Sequence, residues 1–135
     1  MSRVIGVDFG SKRIGIAVGV TEFRIASPRN SILAAGKLST DATAIALIAK
    51  TEEASLVVVG VPENEQDQRM ANVCVKLAQE IRLLGLDVET VDESFTSVEA
   101  ISEMRELKGS DKRKRKDGEA ACRIIERYWD EQDLA

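Results

Sequence analysis

The sequence predicts one α/β domain of three layers: a mixed five-stranded sheet, with strands 1–3 antiparallel, strands 4 and 5 alternating with helices, and helices covering both faces. Two observations carry this expectation. Three β-like runs follow one another at the N-terminus with no room for a helix between them, and two later apolar runs are each flanked by stretches of helical periodicity. A third sets the scale: 135 residues at 44% hydrophobic suffice for one core and are too few for two ordinary domains, so residues 1–135 are read as a single domain.

The elements follow in order. Val4, Ile5 and Val7 read as a first strand, and Gly10 and Gly15 permit a tight turn before Ile14 to Val18 returns as the second. Arg24 to Leu33 reads as a third strand interrupted by Pro28, which suits an edge or a bulge. Ser39 or Thr40 is placed to cap a helix whose residues Ala44, Ile45, Leu47, Ile48 and Ala49 recur at helical spacing up to Glu52 and Glu53. Leu56 to Val61, apolar throughout and closed by Pro62, is a buried central strand. Between about Gln66 and Leu84, residues Met70, Val73, Cys74, Leu77, Ala78 and Ile81 share one helix face, and Gly85 ends it. Asp87 to Val91 supplies a fifth strand. A capping pattern, Thr96-Ser-Val-Glu99, opens a helix to Leu107. Gly109 and the basic residues after it read as a mobile loop, and Asp117 opens a last helix through Ala120, Ala121, Ile124, Ile125 and Tyr128.

Composition removes several chemistries. The chain has no histidine, which excludes Ser-His-Asp and Cys-His catalysis and histidine metal sites. Cys74 and Cys122 fall in helical patterns and read as buried thiols in a reducing compartment. No apolar run approaches the roughly 20 residues of a membrane helix, and the N-terminus lacks a signal-peptide pattern, so the expectation is a soluble, cytoplasmic protein with no membrane partner. The net charge of −4 conceals one dense basic tract: Lys108, Lys112, Arg113, Lys114, Arg115 and Lys116.

Three acids stand where this organisation brings them together: Asp8 ending strand one, Glu93 just after strand five, and Asp117 at the start of the last helix. Neighbouring strands lie about 5 Å apart, and carboxylate oxygens are the donors that Mg²⁺ and Mn²⁺ prefer. Taken singly, Asp92 and Glu93 suit a solvated turn and Asp117 suits a helix cap. Asp8 differs, because an acid flanked by apolar residues at a strand end costs desolvation unless something compensates it.

These motifs resemble the YqgF/RuvX family, known as Holliday junction resolvases and as pre-16S ribosomal RNA nucleases. Gly6-Val-Asp8-Phe-Gly10-Ser-Lys12-Arg13-Ile-Gly15-Ile-Ala17 looks like the family's first motif and Val59-Gly60-Val61-Pro62 like its central strand and turn. Asp92-Glu93-Ser94-Phe95-Thr96-Ser97-Val98-Glu99-Ala100 resembles the second acidic motif, and Asp117-Gly-Glu-Ala-Ala121, followed by Ile124, Ile125, Glu126 and Tyr128, the last. The resemblance implies an RNase H-like fold and a metal-dependent endonuclease with Asp8, Glu93 and Asp117 as catalytic and metal-binding acids. It implies two Mg²⁺ or Mn²⁺ ions, one lowering the pKa of the attacking water and one stabilising the leaving oxygen. Nucleic acid, branched DNA or a small-subunit ribosomal RNA precursor, is the implied partner. Lys12, Arg13, Thr96, Lys108, Lys112, Arg113, Lys114, Arg115 and Lys116 are the residues assigned to its backbone. Symmetric cutting of a four-way junction would further require a homodimer.

Two departures from the family pattern stand out. Ser94 occupies the place after the second acid where arginine is usual, and Glu63-Asn64-Glu65-Gln66-Asp67-Gln68 is a shorter, more acidic segment than the usual glycine-containing loop. Two other classes compete. The opening Asp-x-Gly turn also looks like the first phosphate loop of the actin, Hsp70 and sugar-kinase superfamily, although no second such loop follows. A non-catalytic nucleic-acid-binding or ribosome-associated module would keep the basic tract and make the acids structural. Tyr128 and Trp129 read as packing residues, since aromatic residues are too few for extensive base stacking.

Overall fold

The computed structural model describes residues 2–62, 68–93 and 109–134, with side chains from 116 to 133 in the last segment. Five strands, β1 (Arg3–Phe9), β2 (Arg13–Val20), β3 (Ile25–Leu33), β4 (Ala54–Val61) and β5 (Asp87–Asp92), form one sheet in the order β3-β2-β1-β4-β5. β1 runs antiparallel to β2 and parallel to β4; β2 pairs antiparallel with β3, and β4 parallel with β5. The expected meander and the two alternating strands are both present. β3 is an edge strand, as its proline requires, and Pro28 pairs with Ala17 beyond a register shift at Ile14/Ile16.

Alternation along the strands assigns each face its helices. Ile5, Val7, Ile14, Ile16, Val57 and Val59 point to the side covered by α1 (Leu38–Thr51) and α2 (Gln68–Leu83), against Ile45, Ala49, Leu77 and Ile81. Val4, Ala17, Val58 and Val91 point to the other side, where α3 (Gly109–Leu134) lays down Ala121, Ile124, Ile125 and Trp129. The second face is built for close approach. A Cβ on Gly6 would stand 2.5 Å from the Ala121 carbonyl oxygen, one on Gly15 would lie 2.7 Å from the Asp117 carbonyl carbon, and one on Gly19 would meet the Trp129 ring at 2.9 Å. With these side chains absent, α3 rests almost on the sheet backbone.

Three local expectations are corrected. The basic tract is not a loop: α3 is helical from Gly109, so Lys112 to Lys116 belong to its first turns and Asp117 lies inside the helix rather than opening it. Lysine, arginine and glutamate are good helix formers, and the long apolar face beyond Ala120 nucleates a helix that these residues simply extend. Neither Ser39 nor Thr40 caps α1; the N-cap is Lys37 without a side-chain bond, and Leu47 faces solvent. Gly85 does end α2, with φ +91. The helix expected over Thr96 to Leu107, with Ser94, Thr96, Lys108 and the acidic segment up to Asp67, lies outside the described residues.

Candidate active site

β1, β4 and β5 are mutually parallel, so their C-terminal ends reach the same edge of the sheet. Asp8 is the penultimate residue of β1 and, by alternation with Val7, faces α3. Its antiparallel partner on β2 is Gly15, and on β4 the residue beyond the Val7–Val59 pair is Gly60. Asp8 is thus flanked by two glycines, and that leaves room for two further acids. Glu93 fills the space over Gly60, where an added Cβ would come within 2.6 Å of its Oε2. Its backbone is fixed there by a 3.0 Å bond from the Glu93 N–H to the Val61 carbonyl. Asp117 fills the space over Gly15.

Asp8 and Glu93 form a coupled pair. Burial first, then a hydrogen bond to Asp8, then the charges of Asp8 and Asp92 push the Glu93 carboxyl far above the ordinary carboxylate range. Burial and the neighbouring acids thus favour the protonated form of the Glu93 carboxyl beside Asp8. Two acids brought this close, with a proton between them, offer oxygen ligands that a divalent cation could take over by displacing that proton.

The third acid is otherwise engaged. The Arg13 Nε donates to Asp117 Oδ2 at 2.7 Å, an ion pair only 32% and 17% exposed at its two side chains. Arg13, expected to meet a phosphate, is in this state the counter-ion of a site acid. Among the described residues no three potential ligands converge into a metal cluster, so the expected triad is present as a neighbouring pair plus an acid held by arginine. Lys12, in the β1–β2 turn, and Lys116, one turn position before Asp117, are exposed.

The remaining expectations concern packing. Cys74 lies on α2 and Cys122 on α3, on opposite faces of the sheet; both thiols are free and buried, and burial pushes each up to about 12. Neither can serve as a thiolate nucleophile near neutral pH. Trp129 is buried over Gly19, with its indole N–H donating to Thr21 Oγ1 at 3.3 Å and the Arg24 guanidinium 5.6 Å from the ring centroid. It anchors α3. Sequence reasoning missed two features: the steric role of Gly60 and Gly15 beside Asp8, whose signal was an unusual density of small residues on otherwise β-branched strands, and Asp41, a buried acid in α1. No periodicity distinguishes Asp41 from a solvated first-turn acid.

Comparison with known proteins gives one answer. The family model described as "RuvX: Holliday junction resolvase" matches residues 2–131. A protein of Endomicrobium trichonymphae named "Putative pre-16S rRNA nuclease" is 37% identical, covering 98% of both chains, and one of the same name from Methylobacillus flagellatus is 35% identical over 94% of this chain and 90% of that one. Among solved structures, Thermus thermophilus RuvC superposes with a TM-score of 0.62 at 11% identity, covering 98% of this chain and 96% of that one. The yeast mitochondrial Holliday junction resolvase Ydc2 gives 0.57 at 9% identity, covering 98% and 81%. These structures share the fold alone. The match to residues 2–131 decides against the nucleotide-phosphotransferase reading. With a five-stranded mixed sheet between helices and acids gathered at its edge, the chain belongs to the RuvX family of nucleases and has the RNase H-like fold.

Proposed function

We propose that the protein is a divalent-metal-dependent endonuclease for structured nucleic acid, with Asp8, Glu93 and Asp117 as the catalytic and metal-holding acids. The observation that carries this reading is the row Gly15–Asp8–Gly60, whose missing side chains admit Asp117 and Glu93 on either side of Asp8. A bound Mg²⁺ or Mn²⁺ would supply the charge that activates water and stabilises the departing oxygen. The chain's own part is to hold acids in place. β1 and β5 fix Asp8 and Glu93 through the sheet, α3 fixes Asp117, and Arg13 balances Asp117 until a cation or a phosphate competes for either partner. The α3 start, with Lys112, Arg113, Lys114, Arg115 and Lys116, together with Lys12, supplies the positive charge that attracts a phosphate backbone. Buried free thiols suit a reducing compartment and support a cytoplasmic location.

Near-full-length relatives at 34% identity and above bear the pre-16S rRNA nuclease name, and this favours precursor RNA over a four-way DNA junction. A cleavage panel with both substrates under Mg²⁺ and Mn²⁺ tests the reading, alongside Asp8→Asn, Glu93→Gln and Asp117→Asn. Each substitution should lower cleavage at least 100-fold with the fold intact. Metal-independent binding without cleavage of any substrate would instead support the non-catalytic module. Junction cleavage by a species that sediments as a dimer would shift the substrate to DNA.

A further inference from the structure

The backbone of Arg13 is fixed on two sides. Its carbonyl accepts the Gly10 N–H at 3.0 Å, closing the β1–β2 turn, and the residue pairs with Leu33 of β3. Arg13 lies two residues from Gly15 on β2, so alternation gives both the same face of the sheet, the one on which Asp117 packs. It stands at the rim, opposite Gly10 and beyond the end of β1. From there its Nε donates to Asp117 Oδ2 at 2.7 Å. A guanidinium carries five N–H donors in a planar fork, and among the described residues no other group takes the Nη edge of this one. The side chain is partly open to solvent, so that edge is within reach of a ligand. Arg13 therefore holds the third acid with one donor and keeps its remaining donors in reserve.

Resting on the nuclease reading of this site, we propose that Arg13 is a latch on the third acid: it occupies Asp117 while substrate is absent and releases it when a substrate phosphate takes the guanidinium. While the ion pair stands, Asp117 carries a positive neighbour that repels any divalent cation seeking the same carboxylate. A phosphate can draw Arg13 away, because it accepts two parallel N–H bonds where Asp117 now receives one. Asp117 and the phosphate compete for one guanidinium, and Arg13 and the metal compete for one carboxylate. Exchanging partners satisfies all four groups at once. Nucleic acid therefore strengthens metal binding, and metal strengthens nucleic-acid binding by the same factor. The latched state agrees with the absence, among the described residues, of three ligands converging on one point. A simple phosphate contact and a purely structural ion pair make a different prediction: with either, loss of Arg13 leaves metal binding unchanged or weaker. A latch alone makes its loss a gain.

The test reads binding rather than turnover. Mn²⁺ alone is titrated into the full chain without nucleic acid, and the free ion is followed by electron paramagnetic resonance. R13Q should bind Mn²⁺ roughly tenfold more tightly than the parent, and adding D8N should remove that gain, which assigns it to the site rather than to surface acids. R13K keeps the positive charge and should stay within about twofold of the parent. In chelator, where nothing is cut, a short single-stranded RNA is titrated by fluorescence anisotropy. D117N leaves Arg13 free for phosphate and should tighten binding about fivefold. D8N removes an acid at the same edge that has no arginine partner among the described residues, and should tighten it by less than about twofold. Mn²⁺ binding by R13Q no tighter than the parent's, or an equal gain in R13K, overturns the latch. Should R13Q not fold, as judged by circular dichroism, the RNA arm decides alone, and equal tightening by D117N and D8N overturns the latch. A chain that cuts nothing yet shows both gains keeps the latch and loses the nuclease reading; one that cuts RNA with a Mn²⁺ affinity indifferent to Arg13 does the opposite.

Discussion

Replacing Gly15 by alanine should damage catalysis more than it damages the fold. The new Cβ would stand 2.7 Å from the Asp117 carbonyl carbon and 3.1 Å from the Asp117 Cβ, where ordinary van der Waals contact begins at 3.4 Å. The Asp117 carbonyl oxygen would lie nearer still, so the turn of α3 bearing Asp117 must retreat by about 1 Å, since the colliding partners are backbone or nearly so. Overpacking of this kind costs about 1–3 kcal/mol, and the lower chain entropy of alanine returns about 0.5–1. The net loss is at most about 2.5 kcal/mol, which lowers Tm by no more than roughly 10 °C in a chain of this size. Function should suffer more, because a displacement approaching 1 Å at a reacting group can cost about 100-fold. Gly19→Ala is the matched control: its Cβ would press on Ile125 and the Trp129 ring, each at 2.9 Å, far along α3 from Asp117. Both variants are compared by thermal melting and by Mn²⁺-supported cleavage at a temperature where each is fully folded. If Gly15→Ala cleaves like Gly19→Ala at equal loss of stability, α3 does not set the position of the third acid.

Further outcomes follow from the charges. Glu93 keeps a proton in the folded, metal-free protein that the unfolded chain releases above its ordinary value of 4.5; folding is thus favoured most at low pH, and this contribution declines as pH rises toward the elevated folded value. Urea titrations in chelator should show Glu93→Gln more stable than the parent by more than about 1.4 kcal/mol at pH 8, with little difference at pH 4. A parent whose stability rises between pH 5 and 8 to the same extent as the variant's would contradict the pairing with Asp8. Changing Lys112, Arg113, Lys114 and Arg115 together to glutamine should weaken nucleic-acid binding and flatten its salt dependence by roughly 0.9 in the log–log slope for each lost duplex-DNA contact. Helicity by circular dichroism should hold, as glutamine is nearly as good a helix former. An unchanged salt slope would leave these cations no role in binding.

Much of this architecture is legible in the residues because each β run carries its own signature. Val57 to Val61 can only be buried, Pro28 forces an edge, and Gly85 ends a helix with a positive φ. Asp8 stands out as a candidate for the same reason, an acid where apolar residues surround it. What stayed hidden depends on distance across the chain. The pairing of Arg13 with Asp117 joins residues far apart in sequence, so no local pattern shows that a presumed phosphate ligand is engaged within the site. The helical state of the basic tract was obscured by its charge: like charges suggest a solvated loop, yet the apolar half of α3 imposes its conformation on the turns ahead of it. Asp41 looked like any acid in a first helical turn, and its missing partner appears only once β1, α1 and α2 are packed together.

The unbroken course of α3 gives the basic turns a mechanical meaning. A helix of 26 residues is a rod about 39 Å long. One half is bolted to the sheet through Ala121, Ile125 and Trp129, the other begins with the cations, and Asp117 stands at the junction, where Gly15 serves as fulcrum. Were a phosphate backbone to pull on the charged arm, as the proposed function has it, the arm would not move independently of Asp117, because a continuous helix is stiff along its axis. In the proposed nuclease, substrate capture and alignment of Asp117 would be two ends of one lever.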